Sequence, residues 1–366
     1  MKKNILLLYV ILVTAVCLLV ACSGDTSLTS TQGGNGSAAS PAGDSSDFSI
    51  TLRVADHLPP EHPYMFNGSV TFMNLIEERT GGRVTFEHFP AEQAGAMRDQ
   101  MNMVQTKIVD IAGSPASIFA DQVPLSNVVN LPGWQADTIQ LTKAYYDLAT
   151  DPDSAIYKND FAKNKVRMLY CGCFPLYQIQ TSKFSVKSMG DLAGKRIRSS
   201  GGSMELVLKA LGAVPISIPP TELYESMQRS TIDGMYSPQE SIVPQKLHEV
   251  TKYSTANMDL NAFIMLWVIN EEVWQSLPSD IQQILSDTAK EVSYAFPEKL
   301  LTEFDKARMQ MEEYGIEFTE LSQAELDRMN MAVENVASDW VKQMDGQGFD
   351  GSGTFEAYAK ALDKYK

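Results

Sequence analysis

The chain has 366 residues, 44% of them hydrophobic, and a formal net charge of -15 at pH 7. Such an acidic balance excludes nucleic acid as a natural partner. The length exceeds what one hydrophobic core usually serves, roughly 250 to 300 residues, and predicts two lobes.

The first 22 residues, "MKKNILLLYVILVTAVCLLVAC", read as an export signal: Lys2 and Lys3, an apolar run, then Leu19-Val20-Ala21-Cys22 in the manner of a lipobox. The expectation is cleavage before Cys22 and lipidation of its thiol. The protein would then be extracytoplasmic, in the periplasm or on the cell surface, and meet the membrane only through its lipid anchor. The alternative, an uncleaved anchor helix, is disfavoured because the run is short for a span of about 20 residues. Residues 23–48 are nearly devoid of large apolar side chains and predict a flexible tether.

From Ser49 onward, strand-like runs alternate with amphipathic helices, the pattern of an α/β architecture. "ITLRVADHLPP" predicts a strand ending in a polar loop. A helix follows with Phe66, Val70, Met73 and Ile76 on one stripe, stopped near Gly81. "RVTFEHFP", "RDQMNMVQT" and "VDIAG" predict strand, helix and strand. The segments 104–115 and 227–238 share Gln, Asp, Ser and Pro at equal offsets. They read either as two copies of one unit or as two βαβ units that look alike. Asp110 and Asp233 stand at the helix-to-strand corners, and Ser114-Pro115 and Ser237-Pro238 where the next strands end. In open parallel sheets, ligands bind beyond the carboxyl ends of the strands. Both Ser-Pro corners and the loops after "LRVA" and "KRIR" are therefore expected around one cleft between lobes.

Of the four cysteines, Cys17 and Cys22 lie in the leader, and Cys171 and Cys173, in C-x-C spacing, read as buried strand residues. "NMDLNAFIMLWVIN" is too long for one strand and is expected to cross between lobes. After it, residues 278–315 keep helical periodicity, interrupted only at Pro297, where a kink is expected. Such a helix would brace both lobes.

In "DLAGKRIRSSGG", Ile197 must face the core if this is a strand, leaving Arg196 and Arg198 on the opposite face. Arg198 stands last before the loop, nearest the cleft, with Ser200 or Ser203 expected to cap the next helix. A planar fork of donors at the mouth of a cleft suits bidentate capture of a carboxylate, the alternative being a surface ion pair.

The stretch from "DLAGKRIRSSGG" to "STIDGMYSP" resembles the central signature of DctP-like solute-binding proteins of tripartite ATP-independent periplasmic (TRAP) transporters. "RTGGRVTFEHFPAEQAG", "LPGW" and "VINEEVWQSLPSDIQQIL" resemble its flanking motifs, in the same order. The resemblance implies an α/β, two-lobed, periplasmic-binding-protein-like (type II) fold with a long helix bracing both lobes. Lobe I would hold residues 49–175 with 264–303, and lobe II residues 176–263 with 304–366. It also implies capture of a small organic acid and delivery to TRAP membrane permease subunits. Arg198 takes the position of the family's carboxylate-pairing arginine. Ser237 stands where relatives often carry Asn, Gln178 where many carry a second arginine, Asp56 at a polar position after the first strand, and Pro115 in place of an occasional Glu. One fixed cation in place of two favours a monocarboxylate or partly apolar acid. Tyr236, Trp134, Phe174 and Tyr177 are candidates for stacking surface, and Ser114 for the cleft rim.

A sensing lipoprotein of the same fold is the second reading, a hydrolase or other enzyme the third. Against the third, "GQGFDG" at 346–351 lacks a preceding strand and reads as a flexible turn. No G-x-S-x-G elbow, P-loop or marked pair of carboxylates is found. His57 and His62 flank a proline loop expected to be solvated, able to hold a metal only if it folded back. No cofactor and no metal are expected.

Overall fold

The computed structural model describes residues 48–134, 136–174, 177–258 and 260–366, all within one unit, Asp44–Lys366. The export signal, Cys22 and the tether except Phe48 lie outside the described residues.

Two sheets organise the chain. The first contains β1 (Ile50–Asp56), β2 (Val84–Phe89), β3 (Ile111–Pro115), β4 (Val166–Phe174) and, from much later, Phe263–Asn270, which we number β10. Their order is β2-β1-β3-β10-β4, with β1 parallel to β2 and β3, and β10 antiparallel to β3 and β4. All eight residues of β10 are buried, which explains its unbroken apolar run: it lies inside a sheet covered on both faces. The flanking strands make room with glycine. A Cβ on Gly113 would lie 2.0 Å from Trp267 Nε1, and one on Gly172 only 1.9 Å from Phe296 Cδ1. Cys171 and Cys173 are free and buried in β4, as expected.

The second sheet contains β5 (Gln178–Thr181), β6 (Arg196–Ser199), β7 (Val214–Ser217), β8 (Gly234–Ser237), β9 (Tyr253–Thr255) and β11 (Glu317–Thr319). Its order is β11-β9-β5-β8-β6-β7, with β6 parallel to β7 and β8. The likeness between 104–115 and 227–238 reappears as hydrogen bonding. Arg53 N and Nε donate to Asp110 Oδ2 at 2.8 and 3.1 Å, while Nη2 reaches Asp110 Oδ1 at 2.8 Å and Lys107 O at 2.9 Å. Arg196 repeats this with Asp233 at 2.8, 3.1 and 2.9 Å and with Ser230 O at 3.0 Å. Lys107 and Ser230 both take positive φ, 59° and 55°. Each lobe thus locks a parallel strand pair, β1 with β3 and β6 with β8, by the same Arg-Asp corner.

The chain passes between sheets after β4 and again after β9. The crossing therefore comes before β10, and the apolar half of the segment belongs wholly to the first sheet. The helix Ser279–Glu313 has 35 residues and runs on through Pro297. At 1.5 Å per residue it is about 50 Å long. Its first half is tied to lobe I: Arg79 donates to Thr288 Oγ1 at 2.8 Å and Glu291 Oε2 at 2.7 Å, and Cys171 N donates to Ser293 Oγ at 3.1 Å. Near its end Met311 enters the lobe II core with Leu223, Met235 and Ile242. The expected brace is present.

The C-terminal helices are Gln323–Val333, Val336–Gly346 and Gly351–Asp363. "GQGFDG" forms the corner between the last two. Asp345 Oδ1 accepts from Gly351 N at 2.8 Å and Asp350 Oδ1 from Gly353 N at 2.9 Å, so the turn is pinned. The division read from sequence puts this whole region with lobe II. The last helix instead packs on Thr138–Thr150 of lobe I, where Tyr358 Oη donates to Leu141 O at 3.1 Å and Phe355 and Tyr358 enclose Trp134.

Candidate functional site

The three cations of "GKRIR" have three destinations. Lys195 Nζ lies 5.0 Å above the Phe184 ring, Arg196 makes the Asp233 corner, and Arg198, beyond the buried Ile197, turns inward and is 3% exposed. Arg198 Nε donates to Ile218 O at 2.8 Å and Nη1 to Tyr236 O at 3.4 Å. Among the described residues no carboxylate lies within ion-pair distance of it. Burial pulls its pKa down, with Tyr177 opposing, yet a guanidinium stays protonated in a protein. A buried cation held only by carbonyls is costly unless an anion joins it.

Arg198 opens on a cavity walled by both lobes. Lobe I brings His57, Leu58, Tyr64 and Met265; lobe II brings Ser200 and Ser237. Tyr177 and Phe263 complete the walls, their ring centroids 5.2 Å apart. Ser237 Oγ is buried and bonded to nothing among the described residues. The free space is about 30 Å3, far below the ~300 Å3 at which ligand pockets begin, so loading an organic molecule requires the lobes to part. Ser200 also lines the adjoining crevice of about 320 Å3, where Met97, Arg98 and Ile118 face Ser217 and Pro219. Across the lobes Tyr64 Oη donates to Glu240 Oε1 at 2.6 Å; both are buried, and burial pushes the Glu240 carboxyl up to about 7.

The loop after β6 differs from expectation. Neither Ser200 nor Ser203 caps the next helix, Ser203–Ala210; Gly202 does, with no side-chain bond and φ 58°. A Cβ there would lie 2.6 Å from Asn127 Oδ1 of lobe I, so close contact between lobes decides the residue.

Of the other candidates, Ser237 and Tyr177 line the cavity and six are used elsewhere. Gln178 Oε1 accepts from Thr255 Oγ1 at 2.8 Å and Met258 N at 2.9 Å, tying down the crossing segment. Tyr236 lies beneath Arg198, offering its carbonyl, with its hydroxyl on Asn261. Asp56 is held by His88 Nε2 at 2.8 Å and Trp267 Nε1 at 3.1 Å inside lobe I. Ser114 donates to Gln100 Oε1 at 2.7 Å, leaving its neighbour Pro115 at the cavity. Trp134 donates to Val128 O at 2.9 Å and lines a separate groove with Pro132 and Leu260. Phe174 packs on Phe263 and Phe296.

The proline loop is not solvated. His57 and His62 are 3% and 1% exposed, and burial lowers their pKa values to about 4 and about 3. Two neutral imidazoles result. His57 Nδ1 meets Gly113 O at 3.2 Å, and His62 Nδ1 accepts from Tyr64 N at 3.3 Å. No group of three metal-ligating side chains occurs among the described residues. Tyr64 and Glu240 escaped the sequence reading, and His57 was read only as part of a solvated loop, although the loop after β1 was expected at the cleft.

Residues 54–343 match the family described as "DctP: Bacterial extracellular solute-binding protein, family 7". The chain is 26% identical over 248 residues to the 2,3-diketo-L-gulonate-binding periplasmic protein YiaO of Escherichia coli, covering 67% of this chain and 74% of that protein. A TRAP solute-binding protein from Rhodoferax ferrireducens, solved with copurified benzoate, superposes with a TM-score of 0.78 at 21% identity, covering 86% of this chain and 98% of that one. One from Bordetella bronchiseptica, with bound (R)- and (S)-mandelate, gives 0.76 at 23% identity, covering 87% and 100%. The two-lobed fold is theirs, and the chain belongs to the DctP family of bacterial extracellular solute-binding proteins, which are receptors and not enzymes.

Proposed function

We propose that the protein captures a small monocarboxylic acid with an apolar, preferably aromatic, body between its lobes and delivers it to a TRAP-type permease. The observation that carries this reading is Arg198: a buried guanidinium without a carboxylate partner among the described residues, facing an interlobe cavity. Tyr64, Tyr177, Phe263 and Met265 supply walls for the apolar body. Gln178, at the place of a second arginine, adds no charge. Two charge-assisted bonds from Arg198 contribute about 3 to 6 kcal/mol, toward the ~8 that micromolar binding requires. Burying the ring supplies the rest, at about 25 cal/mol per Å2. We further read Cys22 as the lipid attachment site.

The test is calorimetry and thermal shift with benzoate, mandelate and succinate. A ligand that binds only the folded form raises its melting temperature by mass action. Benzoate or mandelate should bind at least tenfold more tightly than succinate; a clear preference for the diacid refutes the reading.

A further inference from the structure

We propose that His57 is a second polar anchor in the cleft, and that the captured acid carries a hydrogen-bond donor, a hydroxyl or N–H, which His57 Nε2 accepts. This rests on the Arg198 reading above. His57 lines the same cavity as Arg198 but comes from the loop after β1, in the other lobe. Its Nδ1 lies 3.2 Å from Gly113 O. A carbonyl only accepts, so Nδ1 carries the proton and Nε2 of the neutral ring presents a lone pair. Among the described residues His57 makes no other hydrogen bond.

The surroundings keep the ring neutral. Burial acts first; adjacent Asp56 opposes it but is engaged by His88 and Trp267, and Arg198 repels a second positive charge. His62 is neutral as well, and the phenols of Tyr64 and Tyr177 are pushed up, so both remain protonated at neutral pH. Tyr64 spends its hydroxyl on Glu240. His57 lines the cavity, and its Nε2 takes no hydrogen bond from the described residues, so the lone pair is fixed in direction and unmet; an unmet acceptor at a cavity wall selects for a ligand that fills it. The pairing also accounts for coupling: a carboxylate on Arg198 engages lobe II alone, whereas a donor on His57 ties the same molecule to lobe I.

The experiment compares benzoate with 3-hydroxybenzoate, and phenylacetate with mandelate, by calorimetry on the full chain, its Arg198→Ala variant and its His57→Asn variant. In the last, the amide Nδ2 retains the bond to Gly113 O and only the Nε2 acceptor is lost. Wild type should prefer the hydroxylated member of at least one pair tenfold or more. His57→Asn should abolish that preference, bringing the two acids of the pair to within threefold of each other. Benzoate or phenylacetate bound through Arg198 without a hydroxyl preference, or with one that survives His57→Asn, overturns this proposal alone. Binding that survives Arg198→Ala overturns the underlying reading. If His57→Asn does not fold, proton uptake by wild type decides: mandelate and 3-hydroxybenzoate should bind at pH 7 with uptake of no more than about half a proton, the share a Glu240 near 7 can supply, as titrations in buffers of different ionisation enthalpy report. Uptake approaching one proton means an imidazolium pairs with carboxylate, and overturns the proposal.

Discussion

Glu240→Gln should reshape the pH dependence of stability in a calculable way. Burial raises the carboxyls of Glu240 and Asp160 from their ordinary 4.5 and 3.8 to about 7, and lowers His57 and His62 from 6.5 to about 4 and about 3. Each proton bound in one state and not the other changes stability by about 1.4 kcal/mol per pH unit. The histidines' contribution is fully present above pH 6.5 and is lost as pH falls toward 4 and 3, because the unfolded chain takes up protons that the folded chain refuses. The carboxyls act oppositely: theirs is present below about pH 4 and is lost as pH rises through 7. Between pH 4.5 and 6.5 the two pairs nearly cancel. The amide at position 240 still accepts the Tyr64 hydroxyl but cannot ionise, so one falling contribution disappears. Relative to wild type, the variant should gain about 1.4 kcal/mol per pH unit, roughly 2 to 3 kcal/mol across that window. Paramagnetic or fluorescent labels are unnecessary; urea unfolding at half-unit intervals of pH reads the difference directly, and surface groups common to both proteins drop out. A stability difference that stays constant from pH 4.5 to 6.5 refutes the reasoning.

Arg198→Ala should weaken acid binding by about 10^2 to 10^4-fold, the loss of two charge-assisted bonds, while circular dichroism shows the fold retained; binding within threefold of wild type contradicts the site. Gly172→Ala places a methyl group 1.9 Å from the Phe296 ring and should cost about 3 kcal/mol or more, read as a lower urea midpoint. Gly202→Ala meets Asn127 across the lobes at φ 58° and should weaken ligand affinity about tenfold or more, measured by calorimetry. Cys22→Ser should move the protein from the membrane to the soluble fraction of fractionated cells, with mass spectrometry of the wild type showing an acylated Cys22.

Arg198 was legible because two local rules locate it: strand parity puts Ile197 in the core and the arginines opposite, and the strand's last turns point to the cleft. The likeness of the two Asp-to-strand corners was legible for the same reason, each falling within a dozen residues. The other polar candidates were not. Gln178 is claimed by Thr255 and Asp56 by Trp267, partners 77 and 211 positions away, and no local pattern announces such pairing. Trp134 was lost to the last helix, which arrives from the end of the chain to enclose it.

By itself the sequence determined the periodicities: which segments are strands, which helices, that there are two lobes, and that one arginine stands at a strand's end. Those follow from side-chain alternation and hydrophobic patterning along a few consecutive residues. Only the tertiary structure decided which polar groups remain unspent. It buried the His57 loop and neutralised its ring, joined Tyr64 to Glu240 across the lobes, and left Arg198 and Ser237 facing a cavity. Burial and hydrogen-bond satisfaction depend on what every distant segment brings to a point in space, and that is settled only when the chain closes on itself.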